Sequence, residues 1–210
     1  MLSNSTIMRL STIKRLGTFH TNMKQSVAEH SYNTAMMCVR IGEALHSAKI
    51  PVDRLRLVYR ALYHDIPETE SNDIPYPFKQ ALKSLLEQAG THMEYVEQTA
   101  LESDESNNIA FFEIEAMWGS ITGERELTVK SDIVERILSF ADMLELVHTI
   151  SMEILTGNES VNGVGARALE IAFNRFSTLF TELERSIIAK VPEVANLLEL
   201  IQSRRDAANE

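Results

Sequence analysis

Apolar residues recur every three or four positions along most of this chain, and no stretch sustains the alternation of apolar and polar residues that is typical of a half-buried strand. An early example is the set Tyr32, Ala35, Met36 and Val39, which share one face of a helix. Few glycines and prolines interrupt the pattern, eight and five respectively. The pattern therefore predicts an all-α fold.

Capping and breaking residues predict where the helices begin and end. Ser26 and Glu29 have the S-x-x-E spacing of a capping box, which predicts a helix start with His30 in the first turn. A second helix is predicted over residues 52–65, and Pro67 helps to stop it. Further helices are predicted over residues 79–88, 92–102, 108–118, 131–155, 165–189 and 193–204, with loops at 66–77, 119–125 and 156–165 and a frayed polar tail from 205.

Length and composition bound the kind of protein. With 210 residues, of which 44% are hydrophobic and 24% charged, the chain is predicted to form one globular domain over residues 1–210. No apolar run approaches the roughly 20 residues of a membrane span. Residues 1–16 lack the pattern of a signal peptide, which predicts a cytoplasmic protein. The single cysteine, Cys38, is interpreted as a packing residue.

The net charge limits the partners. A formal charge of −10 repels nucleic acid and anionic lipid, so neither a nucleic acid polymer nor a membrane is expected to bind. A small anion can still be captured where a metal and a few basic side chains reverse the potential inside one pocket.

One carboxylate stands where an apolar side chain is expected. Leu138, Asp142, Leu146 and Ile150 form one row at a spacing of four residues, so Asp142 interrupts what should be a buried stripe. Because an unpaired buried carboxylate is costly, a bound cation is one explanation for it.

Two imidazoles and a second carboxylate lie on other helical segments. His30, the adjacent pair His64 and Asp65, and Asp142 together form a set that can hold one divalent metal. Adjacent residues diverge by about 100° on a regular helix, so His64 and Asp65 can share an ion only at a helix end. Taken singly, each of the four is more simply a hydrogen-bonded core residue, a cap or a solvated charge. Their joint occurrence favours the metal.

Several short motifs resemble those of the HD-domain phosphohydrolases, and among these the bacterial and phage 5′-deoxynucleotidase type. The motifs are Arg15, Val27-Ala28-Glu29-His30-Ser31, Tyr63-His64-Asp65-Ile66-Pro67-Glu68, Asp73-Ile74-Pro75-Tyr76-Pro77-Phe78-Lys79 and Phe140-Ala141-Asp142. The resemblance covers residues 15–148 and implies a compact, single-domain HD-type fold, with the C-terminal helices at about 165–204 outside the motif core.

The resemblance also implies roles for the metal-binding set and its neighbour. His30, His64, Asp65 and Asp142 would bind one catalytic divalent ion, with cobalt, manganese, zinc, magnesium and iron as the candidates. Glu68 would be the catalytic carboxylate that handles water or the leaving-group proton. Its position after the metal pair, in a loop constrained by proline, favours that role over a solvated charge.

Three further residues match positions of the family. Asp73 would be a second catalytic acid that holds the water, the sugar or an additional metal, although a helix N-cap or an Asx turn explains it equally well. Arg15 and Lys79 would bind the phosphate of the substrate. Leu16 follows Arg15 where relatives commonly carry an aromatic side chain, and Phe19 or His20 is the nearest replacement.

The predicted activity is cleavage of the 5′ phosphate ester of a small deoxynucleotide, giving deoxynucleoside and phosphate. The alternatives are a deoxynucleoside triphosphate triphosphohydrolase, for example one acting on dATP, a guanosine polyphosphate hydrolase, and a non-catalytic helical regulator that binds metal. A homo-oligomer, a dimer or larger, is expected because dimers are common in the family.

Overall fold

Helices make up nearly all of the regular structure in the computed structural model, which describes residues 8–90 and 132–209. They are α1 (Val27–Ser47), α2 (Arg54–Tyr63), α3 (Glu68–Ser71), α4 (Tyr76–Gln88), α5 (Ile133–Leu155), α6 (Asn162–Leu179), α7 (Glu182–Ile188) and α8 (Pro192–Asn209), with a 3-10 turn at Glu159–Val161. Within these ranges, extended pairing is limited to one antiparallel bridge between Lys14 and Ser26. The all-α prediction is confirmed.

The capping residues act as the sequence predicted at the start of α1. The Ser26 backbone N–H donates to the Glu29 carboxylate at 2.7 Å, and the Glu29 N–H donates to the Ser26 hydroxyl at 3.2 Å. These reciprocal bonds satisfy donors that the first helical turn leaves open, so the predicted capping box is confirmed. It fixes His30 one turn into the helix.

Other helix boundaries differ from the prediction. Helix α2 ends at Tyr63, two residues earlier than expected, and α4 begins at Tyr76, where Pro77 fits the first turn. A single turn, α3, forms within the predicted loop at 66–77. The predicted polar tail from residue 205 is helical to Asn209. The predicted helices at 92–102 and 108–118 and the loop at 119–125 lie outside the described residues.

The helix predicted over residues 165–189 is two helices. Phe180 has extended backbone angles and ends α6, and Thr181 then caps α7 in a second capping box with Glu184. Because the T-x-x-E spacing of this box is present in the sequence, the boundary could have been predicted from it.

The described residues fall into two units. The first comprises residues 8–20, 24–30 and 63–90, and its apolar cluster contains Leu10, Ile13, Val27 and Ile66, with Ala28 and Tyr63 packed against it. The cluster joins the segment before α1, the first residue of α1 and the turn after α2. It therefore holds together the parts of the chain that carry His30, His64 and Asp65.

The second unit comprises residues 21–23, 31–62 and 132–209. Its core includes Phe140, whose ring centroid lies 5.7 Å from those of Phe176 and Phe180. Gly165 permits a close approach of α6 to α5, because a Cβ there would lie 2.8 Å from Ile150. Cys38 is fully buried in α1, and burial raises the pKa of its thiol. Among the described residues, no helix is long and apolar enough to span a bilayer.

A largely buried ion pair joins α5 to the start of α7 in the second unit. The Arg136 guanidinium donates to both carboxylate oxygens of Glu184, at 2.9 and 3.1 Å. Burial raises the pKa of Glu184, but the hydrogen bonds from Arg136 and from the Thr181 N–H outweigh it and leave the pKa below its ordinary value of 4.5. The ionised side chain therefore stabilises the fold above pH 4.5, and this contribution is lost as the pH falls through the lowered pKa.

We expect Glu184→Gln to lower the free energy of unfolding at pH 7 by about 1.5 to 3 kcal/mol, the range for hydrogen bonds to charged groups. The difference from the parent protein should shrink in urea titrations as the pH is lowered below 4.5. Glu182→Gln is the matched control, because Glu182 is exposed in the same helical turn. A difference that does not change with pH would contradict the role given to the charge.

Candidate metal centre and its neighbours

Two imidazoles and one carboxylate of the first unit point to a common place. His30, His64 and Asp65 each offer one ligand atom, and these atoms lie within 4.8 Å of one another. The Nε2 atoms of both histidines lie 3.4 Å from Asp65 Oδ2. The two rings are tilted by 56°, with their centroids 5.4 Å apart. Three of the four predicted metal ligands are thus brought together.

The end of α2 explains how adjacent residues can share one site. Because the helix stops at Tyr63, His64 and Asp65 lie in the turn that follows and are not held to the divergence of a regular helix. The Ile66 N–H donates to the Tyr63 carbonyl at 3.2 Å, and the Glu68 N–H donates to the Asp65 carbonyl at 3.0 Å. These two bonds define the turn that presents the pair.

The donor set fits a divalent ion. His30 is fully buried and Asp65 is 9% exposed. Asp65 Oδ2 is buried and accepts no hydrogen bond from the part of the chain that the structure describes, although two imidazole nitrogens face it. A buried carboxylate oxygen in this situation is costly unless a cation compensates it. Mixed nitrogen and oxygen ligands suit divalent transition metals, and three protein ligands leave positions for a further ligand and water.

Glu68 is a buried carboxyl group beside this set. It is the first residue of α3, is 5% exposed, and its Oε2 accepts no hydrogen bond from residues 8–90 or 132–209. Burial raises the pKa of Glu68 to about 8, with a further contribution from the charge of Asp65. Arg15 and Lys79 oppose the shift, and Asp73 adds to it. The charges of Asp73 and of both predicted phosphate-binding residues therefore lie close enough to Glu68 to affect its pKa.

Asp73 contacts the segment that carries Arg15. Its Oδ1 accepts a hydrogen bond from the Arg15 guanidinium at 3.2 Å, and its Oδ2 accepts the Leu16 backbone N–H at 2.7 Å. Leu16 has a positive φ of 54°. In the first unit Phe19 is half-buried and His20 is exposed. Neither contact of Asp73 was predicted, because the sequence separation of 57 and 58 residues leaves no local signal.

Asp142 belongs to the second unit and is more exposed than the sequence predicted. Its side chain is 31% exposed, and Oδ2 lies 3.7 Å from the Arg175 guanidinium. Leu138 and Ile150 of the same row are buried as expected, but Asp142 itself is neither fully buried nor uncompensated by charge. The expectation failed because helix periodicity does not reveal which side chain of another helix lies opposite. Its role as a metal ligand stays a prediction.

Arg9 is a residue near the site that sequence reasoning missed. Its guanidinium donates to the carbonyl of Thr69 at 2.6 Å, immediately after Glu68. The contact fixes the backbone that carries Glu68, and it spans 60 residues, so no motif marks it.

Residues 4–175 match the model of a protein family described as 5′-deoxynucleotidase YfbR-like. The chain belongs to the YfbR-like 5′-deoxynucleotidase family. Among curated proteins, no sequence matches it significantly.

Solved structures share the fold. The HD phosphohydrolase DatZ of cyanophage S-2L, bound to dA and one catalytic zinc ion, is 22% identical with a TM-score of 0.64 over 95% of this chain and 98% of the phage chain. A conserved hypothetical protein from Pyrococcus furiosus is 21% identical with a TM-score of 0.59 over 87% of this chain and 95% of the archaeal chain. An HD-domain phosphohydrolase from Listeria innocua is 17% identical with a TM-score of 0.54 over 95% and 85%.

Membership of this family confirms the predicted class of protein. The chain therefore belongs to a family of phosphohydrolases of the deoxynucleotide class, and its fold is the one found in HD-domain phosphohydrolases. The grouping of His30, His64 and Asp65 supports the predicted divalent metal cofactor, because these residues offer three ligand atoms that lie close together. The predicted cytoplasmic location, the single domain and the homo-oligomer stay predictions.

Proposed function

We propose that this protein is a 5′-deoxynucleotidase, which hydrolyses deoxynucleoside 5′-monophosphates to deoxynucleosides and inorganic phosphate. The observation that carries the proposal is the arrangement within the first unit, where Glu68 lies buried next to the group formed by His30, His64 and Asp65. Arg15 and Lys79 supply the positive charge that an anion requires in a chain with a net charge of −10.

Four residues would hold the metal ion in this proposal. His30, His64 and Asp65 supply the group already described, and Asp142 would supply the fourth ligand, as the D-containing motif of the sequence suggests. When bound, a divalent ion supplies Lewis-acid chemistry, because it polarises phosphate oxygens and acidifies water. Zinc is the first ion to test, since the cyanophage relative was solved with it. Cobalt, manganese, magnesium and iron follow.

The chain's own residues bind the phosphate and move the proton. Arg15 and Lys79 neutralise the phosphate oxygens while water attacks phosphorus and the bond from phosphorus to the 5′ oxygen breaks. Glu68 accepts the proton that the attacking water loses and donates the proton that the leaving 5′ oxygen requires. A carboxyl group whose pKa is raised to about 8 by burial and a neighbouring charge can exist in both protonation states near neutral pH, which this role requires.

Product analysis across a panel of nucleotides tests the proposed activity. Deoxynucleoside mono-, di- and triphosphates are incubated with protein loaded with zinc, cobalt, manganese, magnesium or iron, and the products are separated by chromatography. The expected products are deoxynucleoside and inorganic phosphate from the monophosphates. Release of intact triphosphate indicates a triphosphohydrolase, and turnover of guanosine polyphosphates alone indicates the signalling-nucleotide alternative. A metal-loaded protein that hydrolyses none of them would be a regulator.

We expect Arg15→Ala and Lys79→Ala each to lower kcat/KM on the preferred nucleotide by roughly 10² to 10³, as other electrostatic stabilisers of a transition state do. Lys14→Ala is the matched control, because Lys14 is exposed and adjacent to Arg15. Circular dichroism verifies that the variants fold. Full kcat/KM in both variants on every active nucleotide would show that other residues bind the phosphate.

A further inference from the structure

The segment that carries Arg15 is tied to the start of α1. The Arg15 N–H donates to the Gln25 carbonyl at 2.8 Å, and the Val27 N–H donates to the Ile13 carbonyl at 2.9 Å. Because Val27 opens the helix in which His30 lies, these bonds set the backbone of Arg15 in a fixed relation to the metal-binding histidine. They leave the direction of the Arg15 side chain to other contacts.

Two residues have unfavourable backbone angles, one that bonds to Asp73 and one that directly precedes it. Leu16 has φ of 54°, and Asn72, directly before Asp73, has φ of 58° with ψ of 176°. Residues with a Cβ adopt such angles at a cost, and strained residues of this kind cluster at functional sites. At Asn72, this conformational cost is offset by the hydrogen bond that its N–H donates to the Glu68 carbonyl at 2.8 Å. At Leu16, it is offset by the hydrogen bond that the Leu16 N–H donates to Asp73 at 2.7 Å.

We propose that Asp73 is a positioning residue, whose carboxylate holds Leu16 in the left-handed conformation and thereby aims the Arg15 guanidinium at the phosphate. Asp73 then acts on hydrolysis through Arg15 and does not itself handle the attacking water. The inference rests on the proposed function, which assigns phosphate binding to Arg15.

The contacts of Asp73 favour this role over direct catalysis. Both of its oxygens accept hydrogen bonds from the same short segment, one from the Arg15 guanidinium and one from the Leu16 N–H. Glu68, in contrast, is more deeply buried and keeps Oε2 without a hydrogen bond from the described residues. Of the two carboxylates, Glu68 is therefore the one with an oxygen that accepts no hydrogen bond from the described residues.

A double-mutant cycle distinguishes the two roles. The values of kcat and KM are measured for the metal-loaded parent, Asp73→Ala, Arg15→Ala and the double variant on the best monophosphate. Each single substitution is expected to lower kcat/KM by roughly 10², and the double variant should match Arg15→Ala alone, because Asp73 has nothing left to position. If Asp73 acts on the water itself, the two losses multiply to roughly 10⁴, which would overturn the proposal.

Leu16→Gly tests the link through the backbone. Glycine adopts a positive φ readily, so the substitution is measured first in the parent, where its effect on kcat/KM gives the reference value. In the Asp73→Ala background, it should restore kcat/KM by roughly threefold to tenfold, because the segment no longer needs the carboxylate to keep its conformation. A further loss in that background would contradict the mechanism.

Asp53→Ala is the matched control for loss of an aspartate that accepts a backbone N–H. Asp53 is exposed and accepts the Arg56 N–H at 3.0 Å at the start of α2. Its loss should leave kcat/KM unchanged in both the parent and the Arg15→Ala background. If Asp73→Ala does not fold, Asp73→Asn is used with a different expectation: its amide oxygen can still accept the Leu16 N–H, so the positioning role predicts a loss in kcat/KM well below roughly 10², and a loss of roughly 10² or more would overturn it.

Thermal melting separates failure of this inference from failure of the proposed function. Asp73→Ala should lower Tm by roughly several degrees in the parent and by less in the Leu16→Gly background, whatever the substrate is. If no deoxynucleotide is hydrolysed but this coupling in Tm is found, the proposed function is wrong and the contact between Asp73 and Leu16 stands. Equal Tm shifts in both backgrounds would overturn the positioning role even in an active enzyme.

Discussion

Asp142→Asn is expected to lose its metal and to hydrolyse deoxynucleotides no faster than the parent protein treated with a chelator. Asparagine nearly conserves the volume of the side chain but removes the charge, and a neutral amide is a poor ligand for a divalent ion. Chelation should abolish turnover in the parent, and a divalent transition metal should restore it. For the variant we expect kcat/KM to fall by roughly 10² or more at limiting metal, because the remaining His30, His64 and Asp65 form an incomplete set.

Metal content per protein chain and kcat/KM are the two measurements. Circular dichroism should show an unchanged helix content, since the buried neighbours Leu138 and Ile150 are intact. Asp206→Asn is the control, because Asp206 is exposed on α8 and accepts a hydrogen bond from Gln202 at 2.8 Å. Stoichiometric metal in Asp142→Asn, with parental affinity and rate, would remove Asp142 from the ligand set.

The fold was predictable wherever local signals decide structure. Helix periodicity gave the all-α class, and the capping box of Ser26 and Glu29 gave the start of α1. The break between α6 and α7 was missed although Thr181 and Glu184 form a second capping box of the same kind. Apolar periodicity continues through residues 165–189, so this pattern alone does not mark the break.

The metal-binding group was predictable because two imidazoles and two carboxylates occur together on separate helical segments, although each residue taken singly has a simpler explanation. His30, His64 and Asp65 meet as expected, and the end of α2 at Tyr63 removes the geometric difficulty of using adjacent residues. Glu68 was placed beside them from its position in the loop after the pair.

The contacts that orient the site were not predictable from the sequence. Arg9 reaches the Thr69 carbonyl across 60 residues, and Asp73 reaches Leu16 across 57. Arg175 faces Asp142 from the next helix. Such pairs depend on tertiary packing between segments far apart in the chain, and no local propensity encodes them. A long-range hydrogen bond also allows a leucine to hold a positive φ, which local preference alone would exclude.

Glu68→Gln is expected to lower kcat by roughly 10² to 10⁴, the usual contribution of a positioned acid or base, with metal content unchanged. Burial and the charge of Asp65 raise the pKa of Glu68 to about 8, so the parent side chain exchanges a proton near neutral pH. Glutamine has nearly the same shape but cannot take up or release that proton. Because Glu68 is not assigned as a metal ligand, KM and metal affinity should change much less than kcat.

Glu29→Gln is the matched control for this substitution, and it separates loss of the proton-transferring group from a general effect of replacing a glutamate near the metal. Glu29 is adjacent to His30, but it is exposed and bonded to Ser26, whose hydrogen bonds lower the pKa of Glu29. Glutamine can complete the same capping box, so α1 and its histidine should keep their positions and kcat should stay at the parental value. If instead Glu68→Gln turns over at the parental rate with metal bound, another group moves the proton, and the buried carboxyl serves only the packing of α3.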